Sequence, residues 1–170
     1  MKAVKFLFVI ALFLGFAEIS ELNAQRGPRR GPAVHHAEKR HARRVIRRTA
    51  IVIRHAQTCL QTNKNYTGDF ARAIAHQRFA RRLYFKGNYL RAMHQSRRSR
   101  QLAILSIQAN KGKAPAGSEY DKEDEDIMNQ EKVADTDLDT ELEKDSPGYS
   151  QKDEDFVNAA LEEIDLTDME

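Results

Sequence analysis

Six histidines are the residues of this sequence that could bind a metal ion. His35, His36 and His41 cluster near the start of the basic part of the chain. A divalent ion usually needs an acidic or thiolate co-ligand beside neutral imidazoles, and only Glu38 lies close by in sequence. His41 and His55 share a helix face but stand about 21 Å apart at 1.5 Å per residue, so they cannot share one ion within a helix. The sequence therefore favours solvated or core-margin histidines and predicts no metal site and no cofactor; a His-rich metal carrier ranks third among the alternatives.

Catalysis has few candidate groups in this chain. Residues 25–113 contain only two carboxylates, Glu38 and Asp69, whereas acid–base or nucleophilic catalysis needs paired carboxylates or an oriented nucleophile. Cys59 has no carboxylate nearby in sequence that could orient His55. No Gly-rich phosphate loop, Gly-x-Ser-x-Gly elbow or His-Glu-x-x-His motif occurs. We therefore predict no catalytic residue and no enzymatic activity, and for Cys59 we expect a small buried thiol, with an intermolecular disulfide or a reactive thiol as the alternatives.

Arginine is the functional side chain that the sequence supplies in abundance. Its guanidinium forms bidentate contacts with phosphate and sulfate groups. Arginine runs recur on the predicted helices, which favours binding of a polyanion such as extracellular DNA, anionic lipid or acidic polysaccharide, although such runs are also usual on solvated helix faces. The candidate polyanion-binding residues are Arg40, Arg43, Arg44, Arg47, Arg48, Arg54, Arg81, Arg82, Arg97 and Arg98.

Charge is divided sharply along the chain. Residues 25–113 contain 22 Lys and Arg and two acids, a net charge of +20. Residues 114–170 contain four Lys and 21 acids, a net charge of −17, so the near-neutral total of +3 hides the split. An acidic segment with few large apolar residues cannot bury enough surface to offset its chain entropy. We therefore expect residues 114–152 to form a disordered acidic linker.

The first 24 residues have the three-part pattern of a secretory signal peptide. Lys2 and Lys5 precede an apolar run over 6–17, and cleavage is expected after Ala24. This run is too short to cross a hydrocarbon core of about 30 Å, which needs about 20 residues; an uncleaved anchor or a buried core helix is the alternative. We therefore predict export to the periplasm or the extracellular space, no stable membrane span after cleavage, and a flexible basic arm over 25–32.

Three amphipathic helices account for the basic body. Apolar residues recur there at three- and four-residue spacing. Gly87 and Gly112 stand where a helix C-terminus favours a positive φ angle, and Asp69 and Asn88 are expected to cap helix N-termini. The predicted fold class is all-α, a three-helix antiparallel hairpin array with a disordered acidic C-terminal tail. The body spans 33–113, and its helices are expected over about 34–60, 69–85 and 88–110.

A short sequence pattern recurs at the start of the second and third predicted helices. The sequence of 68–73 is repeated in outline at 87–92 as a glycine, a polar residue, an aromatic residue and then alanine three positions after the aromatic residue. This Gly-x-Tyr-x-x-Ala pattern, with Ala80 twelve residues before the last alanine, resembles the turn and second helix of a tetratricopeptide repeat. The resemblance covers 66–110 and implies stacked helical hairpins that bind a protein or a peptide.

The end of the chain carries a short amphipathic pattern over 153–166. Its apolar residues follow helical spacing, and the acids at its start favour a helix N-terminus. We expect this helix to dock onto the basic body or to offer itself to a partner groove, with a solvated disordered tail as the alternative; residues 167–170 are expected to be disordered. The residues expected to dock are Phe156, Val157, Ala160, Leu161 and Ile164.

Together these patterns predict an exported, non-enzymatic interaction protein with a basic helical body, an acidic tail and a protein or peptide partner. The alternative is a polyanion-binding protein that is gated by its own acidic tail. Salt separates the two, because polyanion binding falls steeply with the logarithm of the salt concentration.

Overall fold

Helices form all the regular structure in the computed structural model, which describes residues 32–166. No strand occurs within this range, so the predicted all-α class is confirmed. None of its helices is long and apolar enough to cross a bilayer. The predicted signal peptide, almost all of the basic arm and residues 167–170 lie outside the described residues. The helices are α1 (Pro32–Asn63), α2 (Asp69–Phe85), α3 (Tyr89–Ala109), α4 (Lys122–Met128) and α5 (Asp135–Asp145), followed by single 3-10 turns at Asp153–Asp155 and Glu162–Ile164.

Helices α1, α2 and α3 form the basic body. Short connections make consecutive helices antiparallel, and the turn between α2 and α3 needs Gly87, whose φ angle is +79°. Buried polar side chains join the helices: Ser99 donates a 2.6 Å hydrogen bond to the carbonyl of Ala73, and Thr49 donates one to the carbonyl of Ser96. Because α1 contacts both α2 and α3, the apolar faces of all three helices enclose a shared core.

The acidic segment, residues 119–166, folds onto this body. This corrects the disorder that the sequence predicted for 114–152, since α4 and α5 lie inside that range. Leu138 and Leu142 of α5 are fully buried, and Met128 of α4 is 3% exposed. The disorder argument counted the apolar surface that the segment can bury against itself. It left out the core of the body, where these three side chains are buried.

Residues 153–166 also pack on the body, but not as the continuous amphipathic helix that the sequence predicted. The chain forms two separate 3-10 turns. Val157, Leu161 and Ile164 are buried against α1 and α2 residues, whereas Ala160 is exposed, which corrects its assignment as a docking residue. An irregular chain can direct apolar side chains into the core and still present its carbonyls to α1: Gln57 donates hydrogen bonds to two of them.

The N-termini of α2 and α3 are not capped as expected. The N-cap position of α2 is Gly68, one residue before Asp69, and Asn88 at the N-cap of α3 makes no side-chain cap hydrogen bond. The carboxylate of Asp153 takes this role at α2, where it accepts the backbone N–H groups of Thr67, Gly68 and Ala71, each at 2.9 Å. The helix cap is therefore supplied by the acidic segment rather than by a neighbouring residue.

Candidate anion-binding site

A groove on the surface of α1 is lined by five arginines. Residues three and four apart on a helix are surface neighbours, so the arginine run of α1 forms one continuous strip. The opposite side of α1 carries the apolar residues Ala42, Val45 and Ile46, which are fully buried and fix the orientation of the strip. The α1 groove is lined by Arg40, Arg43, Arg44, Arg47, Arg48 and Ile51.

Helix α4 covers one edge of the α1 groove. Asp124 is fully buried, accepts a 2.7 Å hydrogen bond from Nη2 of Arg44, and lies 2.9 Å from Nδ1 of His41. Asp121 lies 2.9 Å from Nη1 of Arg48. The hydrogen bond with Asp124 raises the pKa of Arg44, and the one from Arg48 lowers the pKa of Asp121. Two of the five groove arginines are thus neutralised from the side of α4.

The other predicted polyanion-binding arginines lie elsewhere on the body. Most of them contact the acidic segment, so the structure divides the predicted set between the α1 groove and intramolecular ion pairs. Arg81 lines a second shallow groove with Arg78, Arg82, Phe85 and Glu163. The ion pairs join Arg54 to Asp165 at 3.2 Å, Arg82 to Asp145, Arg97 to Asp135 at 3.5 Å and Arg98 to Asp139 at 2.8 Å.

The interface between α5 and the body contains functional pairings that sequence reasoning missed. Asp139 accepts hydrogen bonds from Arg98 and from Nη2 of Arg72, the latter at 2.9 Å. Glu141 accepts a bidentate pair from Arg91, whose Nε lies 2.8 Å from Oε2. Burial is the largest influence on Asp139 and raises its pKa, but the hydrogen bond from Arg98 and the charges of Arg98 and Arg72 act together in the opposite direction, and the net pKa is lowered. The sequence signal for this helix was the four-residue spacing of the acids at 135 and 139 and of the leucines at 138 and 142, which indicates one acidic face and one apolar face.

Two histidines are enclosed by this interface and are held neutral. His76 and His94 are fully buried. Burial lowers the pKa of His76, although its hydrogen bond with Gln95 acts in the opposite direction. Burial, together with the charges of Arg97 and Arg91, lowers the pKa of His94 to about 4. Neither imidazole carries a positive charge at neutral pH, so neither adds to the attraction of an anion.

Cys59 and its surroundings do not form a reactive site. The thiol is half-buried, and burial raises its pKa, which keeps it protonated. His55 Nε2 lies 3.8 Å from Sγ and 2.9 Å from the carbonyl oxygen of Lys113. Within residues 32–166, no group of three His, Cys, Asp or Glu residues is arranged to hold a metal ion.

The residues expected to dock from the end of the chain reach two environments. Val157, Leu161 and Ile164 join the core. Phe156 is half-buried, and the guanidinium of Arg78 lies 5.5 Å from the centre of its ring, within cation–π range. Together with Asp165 on Arg54, these contacts join the last described residues to both α1 and α2.

Comparison with protein-family models, curated proteins and solved structures finds no match to this chain. The function is therefore inferred from the arrangement of its own residues.

Proposed function

We propose that the protein is an exported, non-enzymatic interaction protein that binds an anionic partner through the α1 groove. The observation that carries this proposal is the convergence of five arginines on one groove of α1; two of them, Arg44 and Arg48, also pair with carboxylates at α4. Arg40 is exposed, and Ile51 is 56% exposed. Export is supported by the signal-peptide pattern of the first 24 residues.

The expected binding is electrostatic and depends on salt. Charge-assisted contacts from arginine to phosphate, sulfate or carboxylate are stronger than neutral ones, but exposed pairs are screened by salt. A nucleic acid that contacts three groove arginines should bind with a slope of about −3 in a plot of log K against log salt. The partner should therefore be held by several weak contacts.

The test is a titration of residues 25–170 with labelled duplex DNA and with heparin at about 50 mM and about 200 mM salt, a range over which such contacts weaken strongly. The variant Arg40→Gln/Arg43→Gln/Arg47→Gln should bind about tenfold more weakly, since three surface contacts of about 0.5 kcal/mol each sum to about 1.5 kcal/mol. The control Lys64→Gln/Lys86→Gln/Lys111→Gln removes the same charge at exposed positions outside the groove. Equal losses of affinity in both triple variants would show that net charge, and not the α1 groove, determines binding.

A second candidate function is polyanion binding gated by the acidic segment. The ion pairs at the α4 edge of the α1 groove favour it, because each occupies an arginine that an external polyanion would use. The rim carboxylates Asp121 and Glu123 are exposed and pair with Arg44 and Arg48. Removing them should open the edge of the groove without displacing a buried side chain.

For this gate we expect Asp121→Asn/Glu123→Gln to bind heparin several-fold more tightly than the parent chain. The matched control is Glu125→Gln/Asp126→Asn, which changes the same charge at exposed positions of the same helix. An equal gain in both variants would indicate net charge alone, and no gain in either would exclude the gate at this edge.

A further inference from the structure

We infer that Arg100 holds a small monovalent anion, chloride in particular, between α3 and the connection that leads to α4. The inference is separate from the α1 groove and goes beyond the proposed function. Arg100 lies on α3 and is 3% exposed, so its guanidinium is removed from water. Within residues 32–166, neither its Nη1 nor its Nη2 has a hydrogen-bond partner. A guanidinium keeps its charge in a protein, and a buried charge is costly unless it is paired.

The other arginines of α3 have carboxylate partners. Arg100 is more deeply buried than these arginines, yet it forms no ion pair within the part of the chain that the structure describes. An uncompensated charge is most destabilising where it is most buried, so Arg100 is the arginine of this helix that gains most from an added anion. The partners are Glu141 for Arg91, Asp135 for Arg97 and Asp139 for Arg98.

Tyr120 forms the second part of the site. Its ring faces Arg100, with 4.0 Å between Cζ of the guanidinium and the centre of the ring. Burial raises the pKa of Tyr120, although Arg100 and Thr49 act in the opposite direction, so the hydroxyl is protonated at neutral pH and does not neutralise Arg100. This hydroxyl is also buried and has no hydrogen-bond partner among the described residues. Arg100 and Tyr120 therefore bring buried donors from two parts of the chain close together.

The surroundings of the site favour one small charge over a phosphate or sulfate group. Tyr120 packs against an apolar cluster, which offers no further donors for several anionic oxygens. Removing a charge from water is costly, and a divalent oxyanion would bring two charges into this apolar environment. Chloride is a single atom with one charge, which matches the single charge of Arg100. The cluster comprises Ala42, Val45, Met93 and Met128.

The test is urea unfolding of residues 25–170 in sodium chloride and in sodium gluconate at the same ionic strength. An anion that binds only the folded chain multiplies the folded-to-unfolded ratio by one plus its concentration divided by Kd. For a Kd of about 10 mM, replacing about 100 mM gluconate with chloride should raise this ratio about tenfold. The chloride NMR signal should also broaden in the presence of the folded protein.

Arg100→Met separates an anion site from an arginine that only packs. It removes the charge and keeps an apolar stem, so the chain should fold at least as stably in gluconate, and the effect of chloride should disappear. Tyr120→Phe keeps the ring and removes the hydroxyl, so Kd for chloride should rise several-fold. This variant also serves if Arg100→Met does not fold. The control Arg40→Gln/Arg43→Gln/Arg47→Gln, which alters the α1 groove, should keep the full effect of chloride.

Three outcomes would overturn the inference. The parent chain would be equally stable in chloride and gluconate, the effect of chloride would persist unchanged in both Arg100→Met and Tyr120→Phe, or it would be lost in the groove variant and kept in Arg100→Met. The last outcome would place the anion in the α1 groove. None of the three decides the proposed function, which is tested with DNA and heparin.

Discussion

Substitutions of Asp153 test whether the acidic segment stabilises the fold. Its carboxylate is 1% exposed and accepts three backbone N–H groups at the start of α2. Replacing it with alanine removes all three hydrogen bonds, and replacing it with asparagine removes the charge while one acceptor oxygen remains. We expect Asp153→Ala to destabilise the whole body, because α2 packs against both α1 and α3.

The size of the effect follows from these contacts. A hydrogen bond to a charged group contributes about 1.5–3 kcal/mol, and an ordinary cap contributes about 0.5–2 kcal/mol. Three charged bonds at the lower figure approach about 4.5 kcal/mol, and water that reaches the loosened helix end recovers part of that. We therefore expect a loss of about 3–4 kcal/mol for Asp153→Ala and about 2 kcal/mol for Asp153→Asn. A domain of ordinary stability has about 5–15 kcal/mol in total.

The measurement is urea unfolding of residues 25–170 followed by far-UV circular dichroism, with native-state hydrogen exchange at the amides of Thr67, Gly68 and Ala71. Those amides should lose protection in Asp153→Ala. The matched controls are Glu154→Ala and Glu154→Gln, which remove the neighbouring exposed carboxylate. If Asp153→Ala lies within about 1 kcal/mol of Glu154→Ala, less than one charged hydrogen bond, the acidic segment does not support α2 and the reasoning is wrong.

Three further substitutions test the packing and its pH dependence. Leu142→Ala, at a fully buried α5 position, should cost about 2–5 kcal/mol in urea unfolding, whereas Leu105→Ala, at a half-exposed one, should cost less than about 1 kcal/mol; equal costs would contradict the docking of α5. Gly112→Ala places a Cβ 2.7 Å from Sγ of Cys59 and should cost about 1–3 kcal/mol, partly recovered by adding Cys59→Ala; an unchanged melting temperature would contradict this clash. The folded-state pKa of His94 lies below its unfolded value, so stability is fully present above about pH 6.5 and is lost as pH falls toward about 4. Between pH 7 and about pH 5 the loss should be roughly 1–2 kcal/mol, and His94→Leu should reduce it; an identical pH profile in that variant would exclude His94 as a source.

The three long helices could be predicted from the sequence because their signals are local. Apolar residues at helical spacing mark one face of each, and Gly87 marks the turn between α2 and α3. The predicted second helix, 69–85, has the bounds of α2, and the other two differ by a few residues at their ends. The arginine strip of α1 was equally visible, because residues on one helix keep a fixed geometry whatever packs around them.

The fold of the acidic segment could not be predicted in the same way, because what stabilises it is distant in sequence. Leu142 is a minor apolar residue in its own helix and becomes a core residue only beside Phe79 and Ala92 of the body. In the sequence, Asp139 lies among other acidic residues that would repel it. In the structure, it accepts a hydrogen bond from Arg98, which is 41 positions away. Composition describes a segment by itself, whereas this segment folds on a surface of opposite charge.

This arrangement limits which arginines an external partner could use. A gate must leave its site at a cost smaller than the binding energy it regulates. Leu138, Leu142, Ile164 and Leu166 are each at most 2% exposed, so displacing 135–166 would expose four large side chains worth about 1.5–3 kcal/mol each. No few-contact anion could offset that sum, so arginines paired with this part of the chain serve the fold. At the edge formed by α4, the pairs of the exposed Asp121 and Glu123 can open at low cost, whereas Asp124 and Met128 stay buried, and this edge borders the α1 groove.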